Sequence, residues 1–251
     1  MLYRVKIWIR VLYSLFMTFL GIKCKVLNAE DTTKKIITGK SLIRLGDGEF
    51  GIYRGKDIHY QQYSDELKDA FEEIKKQFEQ EGDKCPYLLA VPKKYMQCTG
   101  VVLCKKRVLV SSWAESRYYF KKNFDLNKLY GDAFLFERKN VNIYEKIWNN
   151  PKDNRKIIFV HNNAMYAQQF QTKYKKEVFF IECPPKNAFE KIKEIENAIN
   201  NLMILHNFKK EDVQVVISAG PAGKVLVYKF SKKGYHLIDA GHCWDEPLES
   251  E

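Results

Sequence analysis

Short apolar runs alternate with helical stretches along most of this chain. The apolar runs have the length and composition of buried strands, and they are Ser41–Gly46, Tyr87–Val91, Val101–Val110, Lys156–Val160, Val178–Glu182, Val213–Gly220 and Tyr235–Gly241. Amphipathic stretches separate them: a helix that begins after Ser64, then Glu115–Asn123, Ile143–Asn149, Ala164–Tyr174, Ala188–His206 and Ala222–Lys232. Because parallel strands are joined through crossover helices, this alternation predicts an α/β fold with a mainly parallel sheet and helices on both faces.

The first 30 residues follow another pattern. From Trp8 to Ile22 the side chains are almost all apolar, and a polar residue recurs at every fourth position, at Lys6, Arg10, Ser14 and Thr18. On a helix this spacing places the polar side chains in one narrow polar stripe, and the rest of the helix surface is apolar. We therefore predict that residues 1–30 form an apolar helical appendage and that residues 31–251 form one domain.

Four locations are open for this appendage. A transmembrane span needs about 20 apolar residues, and this run is shorter and contains Arg10. A secretory signal peptide ends in a small-residue cleavage site, and no clear site of that kind follows the run. A helix in the membrane interface fits best, because Arg4, Lys6, Lys23 and Lys25 flank the run and can reach lipid phosphates. Packing against its own domain is the remaining alternative.

Composition narrows the class of protein further. The chain has 251 residues, 45% hydrophobic and 29% charged, which excludes a disordered chain and a polytopic membrane protein. Its six cysteines have neither the density of a disulfide scaffold nor zinc-site spacing. The net charge of +11 comes from scattered lysine doublets without a nucleic-acid-binding module. We therefore expect no nucleic-acid partner, and instead attraction to anionic lipid or to a phosphorylated substrate.

Candidate chemistry collects where the predicted strands end, because ligands of parallel sheets bind at the carboxyl edge. Asp47-Gly48-Glu49 follows the first strand, and the glycine allows a tight turn in which both carboxylates could converge on one cation. A hard divalent ion held by carboxylates and substrate phosphates is typical of magnesium and manganese sites. Arg44 precedes the turn and could bind a phosphate. The alternative is a plain Asp-Gly turn with a solvated glutamate.

Two further strand ends carry candidate residues. After Val213–Gly220, the segment Gly220–Lys224 offers glycine backbone and a helix start to a phosphate, with Pro221 suited to the first helical turn. A purely structural turn with Lys224 in solvent is the alternative. The general-base or metal-ligand candidates are His161, Asp239 and His242. A histidine near the chain end is equally compatible with a surface or capping role.

These segments carry a family resemblance. Ile43–Phe50, with the sequence I-R-L-G-D-G-E-F, resembles the S-R-[FY]-G-D-G-E-[FL] motif that opens the bacterial GT-D-type glycosyltransferases. Further matches follow in the order of that family, at Tyr130–Phe134, Ile147–Trp148, Pro184–Phe189, Ala219–Ala222, Lys232–Tyr235 and Ile238–His242. Several motifs in one order are far more specific than a single D-x-E pattern.

The resemblance implies a Rossmann-like GT-D fold and transfer of a glucose-like hexose from a nucleotide-diphosphate sugar, such as a UDP-glucose-like donor. It places Mn²⁺ or Mg²⁺ and the donor diphosphate on the D-x-E motif, here Asp47 and Glu49. The acceptor would be a hydroxyl of a glycan, glycolipid or glycoprotein. The donor-binding set is then Arg44, Gly46, Gly48, Gly220, Pro221 and Lys224, and the catalytic set is Asp47, Glu49, His161, Asp239 and His242.

The chain departs from the family in two segments. His161–Phe170 replaces a segment that usually resembles S-R-x-G-x-G-N-D-L-F, and Ala219–Lys224 replaces the usual L-G-P-T-A-T. Both lie at the predicted ligand edge, so the donor sugar or the acceptor is expected to differ from that of characterised members. The rival functions are a metal-dependent phosphohydrolase or phosphotransferase and a non-catalytic, membrane-attached partner in glycan assembly. Since nucleotide sugars are made in the cytoplasm, we predict a cytoplasmic protein, peripheral on the inner face of the cell membrane.

Overall fold

The computed structural model describes residues 2–105, 110–241 and 243, and within them the chain forms one eight-stranded parallel sheet. The strands are β1 Lys25–Val26, β2 Ser41–Arg44, β3 Tyr87–Val91, β4 Leu129–Asp132, β5 Lys156–His161, β6 Val178–Glu182, β7 Val213–Ile217 and β8 His236–Asp239. Their spatial order is β1-β4-β3-β2-β8-β7-β5-β6, and every pair is parallel. The predicted α/β class with a parallel sheet is confirmed.

Helices cover both faces of this sheet, as the sequence pattern predicts. They are α1 Leu2–Met17, α2 Ala29–Ile37, α3 Asp47–Tyr53, α4 Asp65–Glu81, α5 Lys93–Met96, α6 Gly100–Lys105, α7 Val110–Asn123, α8 Val141–Tyr144, α9 Ala164–Tyr174, α10 Ile192–Leu205 and α11 Gly220–Ser231. One core holds side chains of α3, α4, α7, α10 and α11, and a second holds those of α2, α8 and α9. Neighbouring strand residues alternate between these cores, Leu42 in one and Ile43 in the other.

The order in which successive strands are added to the sheet changes direction at β2. It runs from β2 outward through β3 to β4, whereas β8, β7, β5 and β6 lie on the other side of β2. The neighbours β2 and β8 pair through Leu42 and Ile238. A crevice forms at the carboxyl ends of strands where the winding direction changes, and this is the place where open α/β sheets bind ligands.

Several predicted element boundaries were wrong. The described parts of the apolar run Val101–Val110 are helical, because Gly100–Lys105 is helix α6 and Val110 begins α7, whereas residues 106–109 lie outside the described residues. Val101 and Val102 are exposed, so these β-branched residues have no sheet neighbour to pack against. Strands β1 and β4 and helix α2 were not predicted. Ile143–Asn149 is helical but begins earlier, at Val141, and continues as a 3₁₀ turn to Ile147.

Helix α1 packs along α7. Val11 and Ser14 are buried in this contact, as is Thr18 just beyond the helix, and the Nε atom of Arg10 lies 3.6 Å from a carboxylate oxygen of Glu115. Ser14 and Thr18 of the predicted polar stripe therefore face the domain, whereas Lys6 and Arg10 are exposed, and the helix has the packed arrangement among the four alternatives. Among the described residues, no helix has the length and apolar character required to cross a membrane.

Candidate active site

A cavity of about 840 Å³ opens at the carboxyl edge of the sheet, next to the ends of β2, β5 and β7. This volume lies in the range of small-molecule and cofactor sites. The predicted site residues that line it are Arg44, Gly46, Asp47, Gly48, Glu49, His161, Gly220, Pro221 and Lys224. Residues from three separate stretches of sequence therefore meet in one crevice, as expected from the rule that parallel strands place their carboxyl ends together.

The Asp47-Gly48-Glu49 segment is the first turn of α3 and not the tight turn that we predicted from its glycine. The carboxylate of Glu49 turns back and accepts a hydrogen bond from the backbone N–H of Gly46, with an Oε2–N distance of 2.7 Å. This hydrogen bond satisfies a backbone donor at the helix start and orients Glu49 inward, where it is buried. Asp47, at the first helical position, remains half-buried and faces the cavity.

Lys224 is buried on α11 and lies between two carboxylates. Its Nζ atom lies 3.3 Å from Oε1 of Glu49 and 3.2 Å from Oδ2 of Asp239, and all three side chains are almost fully enclosed. Burial acts to lower the pKa of Lys224, but the charges of Asp239 and Glu49 outweigh it, so this pKa is raised and the ammonium stays protonated. The alternative in which Lys224 lies in solvent is excluded, because the carboxylates of α3 and β8 hold it inside.

Arg44 completes this charged cluster from the end of β2. Its Nε donates to the carbonyl oxygen of Asp239 at 2.8 Å, and its Nη1 donates to that of Ala133 at 3.0 Å. Its Nη2 lies 3.8 Å from Oδ1 of Asp239 and leaves hydrogen-bonding capacity toward the cavity. Gly241 makes this position possible, since a Cβ atom there would lie 1.8 Å from Nη2.

Tyr60 is a cavity residue that sequence reasoning missed. Its ring packs against Gly220, where an added Cβ would lie 2.9 Å from Cε2 of the ring, and Gly220 also has a φ of +52°. The charge of Glu49 and burial raise the pKa of Tyr60, so the phenol stays neutral and can donate a hydrogen bond. The loop that carries Tyr60 has no sequence signal beyond its position after the D-x-E helix.

His161 ends β5 and lines the cavity as predicted. Its Nδ1 accepts a hydrogen bond from the backbone N–H of Asn163 at 3.0 Å, which places the proton of the neutral ring on Nε2. Asp239, in contrast, is fully buried behind Arg44 and Lys224 and does not line the cavity. His242 lies outside the described residues.

The described residues contain no group of three or more His, Cys, Asp and Glu side chains arranged to hold a metal ion. The oxygen ligands that are present nevertheless fit a divalent cation whose coordination is completed by the substrate. Asp47 faces the cavity and, within the described residues, forms no hydrogen bond or ion pair through its side chain. One carboxylate with substrate phosphates and water suits Mg²⁺ or Mn²⁺. At Glu49, a cation would compete with the ammonium of Lys224.

Known proteins resemble this chain over most of its length. The curated relatives include glycosyltransferase GlyD of Streptococcus pneumoniae, 24% identical over 250 residues, and a probable glycosyl transferase Gly of Streptococcus gordonii, 22% identical over 229 residues. These matches cover 88% and 83% of this chain but only 27% and 30% of the relatives, so the chain spans less than a third of their length.

Solved structures share the fold. A structure of the domain of unknown function 1792, described as having a distinct glycosyltransferase fold, superposes with a TM-score of 0.71 at 22% identity, covering 94% of this chain and 83% of that one. A glycosyltransferase of Streptococcus sanguinis superposes with a TM-score of 0.72 at 20% identity, covering 89% and 83%. The model of the family described as glycosyltransferase GT-D fold matches residues 42–247. Since this match includes most of the chain, the protein belongs to the GT-D-fold glycosyltransferase family.

Proposed function

We propose that this protein transfers a hexose from a nucleotide-diphosphate sugar to a hydroxyl group of a glycan, glycolipid or glycoprotein. The observation that carries the proposal is the cavity at the β2 and β8 crevice, where Asp47, Arg44 and the start of α11 face a common space. Fold by itself does not decide activity. The proposal therefore rests on this site together with the family membership.

The donor diphosphate is proposed to lie against the start of α11. The first turn of this helix, at Gly220 and Pro221, lines the cavity, and helix N-termini favour anions. Arg44 adds a permanent positive charge from β2, and Tyr60, whose ring packs against Gly220, adds a neutral hydroxyl donor. A donor with a UDP-glucose-like diphosphate suits this combination of charge and donors.

A Mn²⁺ or Mg²⁺ ion is proposed as the cofactor, with Asp47 as the carboxylate that faces it. When bound, such an ion neutralises charge on a departing diphosphate. Glu49 supports this arrangement by capping α3, which orients Asp47 at the cavity wall. Lys224 lies between the carboxylates of Glu49 and Asp239 and is their buried cationic partner at the cavity wall.

His161 is proposed to contact the acceptor. Its ring ends β5 at the cavity wall, where it can contact an incoming hydroxyl. Asp239 is enclosed by cations and is not positioned to receive a proton from a substrate. A general base from His242 stays a prediction from the sequence.

Location follows from the donor. Nucleotide sugars are made in the cytoplasm, so we propose a cytoplasmic enzyme that is peripheral on the inner face of the cell membrane. The remaining alternatives are a phosphohydrolase or phosphotransferase that uses the same carboxylates, and a non-catalytic partner in glycan assembly.

Incubation of the purified full chain with a panel of nucleotide sugars, with and without manganese, tests the function. A glycosyltransferase slowly hydrolyses its donor to nucleoside diphosphate and free sugar, and manganese should accelerate this release. A phosphohydrolase would instead release inorganic phosphate. If no donor on the panel is hydrolysed or bound, the protein is a non-catalytic partner and the proposal is wrong.

A further inference from the structure

Most apolar side chains of helix α1 face away from the protein, with Val11 and the partly buried Leu15 on the packed side. Ser14 is only 4% exposed and Arg10, although exposed, lies within ion-pair distance of Glu115. Glu115 also pairs with Arg54 and Lys56, so this network fixes α1 to the body of the enzyme. An ordinary surface helix does the reverse and buries its apolar stripe.

The exposed side of α1 continues onto neighbouring residues. We define the outer face as the exposed apolar side chains of this region, which are Val5, Trp8, Ile9, Leu12, Tyr13, Phe16, Phe19, Leu20, Val101 and Val102. The backbone N–H of Gly100 donates to the carbonyl of Phe19 at 2.6 Å, so the start of α6 is joined to the segment that follows α1. Leu20 is 87% exposed and Phe16 is 77% exposed. Contiguous apolar exposure of this kind marks an interaction site.

Basic residues accompany the outer face. Lys121 of α7 donates from Nζ to the carbonyl of Met17 at the end of α1, and Lys122 lies over the ring of Tyr118, which packs edge-on against Tyr13. The exposed side chains of Lys6, Lys23 and Lys105 add further positive charge. In α1, α6 and α7 the single acidic residue is Glu115, which is already neutralised by three basic side chains.

We propose that the outer face docks on an anionic membrane surface, with α1 lying in the plane of the interface. Apolar side chains flanked by lysines suit the boundary between lipid tails and anionic headgroups. The 16 residues of α1 give a length of about 24 Å, which suits a helix lying flat and not one that spans the bilayer. A second copy of the chain fits less well, because pairing two outer faces would bring their lysines together. This inference deepens the proposed peripheral location, and it does not depend on the donor, the metal or any activity.

Cosedimentation of the full chain with lipid vesicles tests the docking. The full chain should bind vesicles that contain phosphatidylglycerol, and binding should weaken on phosphatidylcholine alone and at high salt. The variant Trp8→Ser/Leu12→Ser/Phe16→Ser should bind at least about tenfold more weakly. The matched control is Ile204→Ser/Leu205→Ser, which removes equally exposed apolar side chains from α10 and should bind as the unaltered chain does. Unchanged thermal melts show that both variants fold.

Trp8 fluorescence gives a second readout. Vesicle binding should shift its emission to the blue, and the shift should disappear in Trp8→Phe while cosedimentation persists. The inference is wrong if the triple variant binds anionic vesicles as well as the control does. It is also wrong if the chain binds no vesicles and instead forms a dimer that the triple variant abolishes. Donor hydrolysis is measured separately, so loss of docking and loss of function are distinguishable.

Discussion

Replacing Lys224 by Met should lower the free energy of unfolding more than any other lysine substitution in α11. Two carboxylates lie 3.2 and 3.3 Å from its ammonium, and the side chain is almost fully enclosed. At an effective dielectric constant of about 20, each pair contributes a gross attraction of roughly 5 kcal/mol. The cost of taking the ammonium out of water offsets much of this attraction. The free energy of unfolding therefore falls by about 3 to 5 kcal/mol when one partner of the buried pair is removed. Each kcal/mol lowers Tm by about 2 to 4 °C in a chain of this size.

The pH dependence of stability identifies the cause of the stability loss in Lys224→Met. In Lys224→Met, the buried carboxyl group of Glu49 loses its ion-pair partner, whereas Asp239 keeps Arg44, so the Glu49 carboxylate is destabilising while ionised. As the pH falls, that group takes up a proton more readily in the folded protein than in the unfolded chain. The stability deficit should therefore be complete at pH 8 and should shrink toward pH 5.

Thermal and urea unfolding at pH 8 and pH 5 measure these effects. Lys229→Met is the matched control, because Lys229 lies on the same helix and its pair with Glu196 is partly exposed. Such a surface pair is worth less than about 1 kcal/mol. The double variant Lys224→Met/Glu49→Gln should recover much of the loss, because it removes a carboxylate as well. A Lys224→Met protein as stable as Lys229→Met at pH 8 would refute the reasoning.

Three further outcomes are expected. Asp47→Asn should weaken manganese-dependent donor binding by at least about tenfold with an unchanged Tm. Calorimetry measures this binding, and the control variant is Glu182→Gln, which changes a carboxylate at the end of β6 outside the cavity. Gly241→Ala should lower both stability and donor affinity, because φ is +55° and the new Cβ would displace the Arg44 guanidinium; a normal melt together with normal affinity would contradict this. Burial and the nearby Arg155 lower the pKa of His236 to about 4 from 6.5. Stability should therefore be complete above pH 6.5 and fall by up to about 3 kcal/mol toward pH 4, and a His236→Asn protein with the same pH slope in urea titrations would argue against it.

Elements with a helical repeat or a continuous apolar run were predictable from sequence, and elements without either were not. The helix Ala164–Tyr174 has the bounds predicted from its helical pattern, and the strand Val178–Glu182 has those predicted from its apolar run. The two-residue strand β1 is too short to carry any pattern, and it exists because Lys25 and Val26 align with β4. Val101 and Val102 form part of helix α6 and not of the predicted strand, because β-branched residues form a strand only where a sheet neighbour is available.

The sequence by itself determined the family, the parallel α/β class and the strand ends that line the cavity, because each depends on local periodicity or on a contiguous motif. Only the tertiary structure decided which charged side chains pair with each other. Glu49 caps α3 and pairs with Lys224, although 175 positions separate them along the chain. The direction in which α1 turns its polar stripe was likewise settled by contact with α7. A periodic pattern shows that a helix has two faces, but only the partners packed against it determine which face is buried.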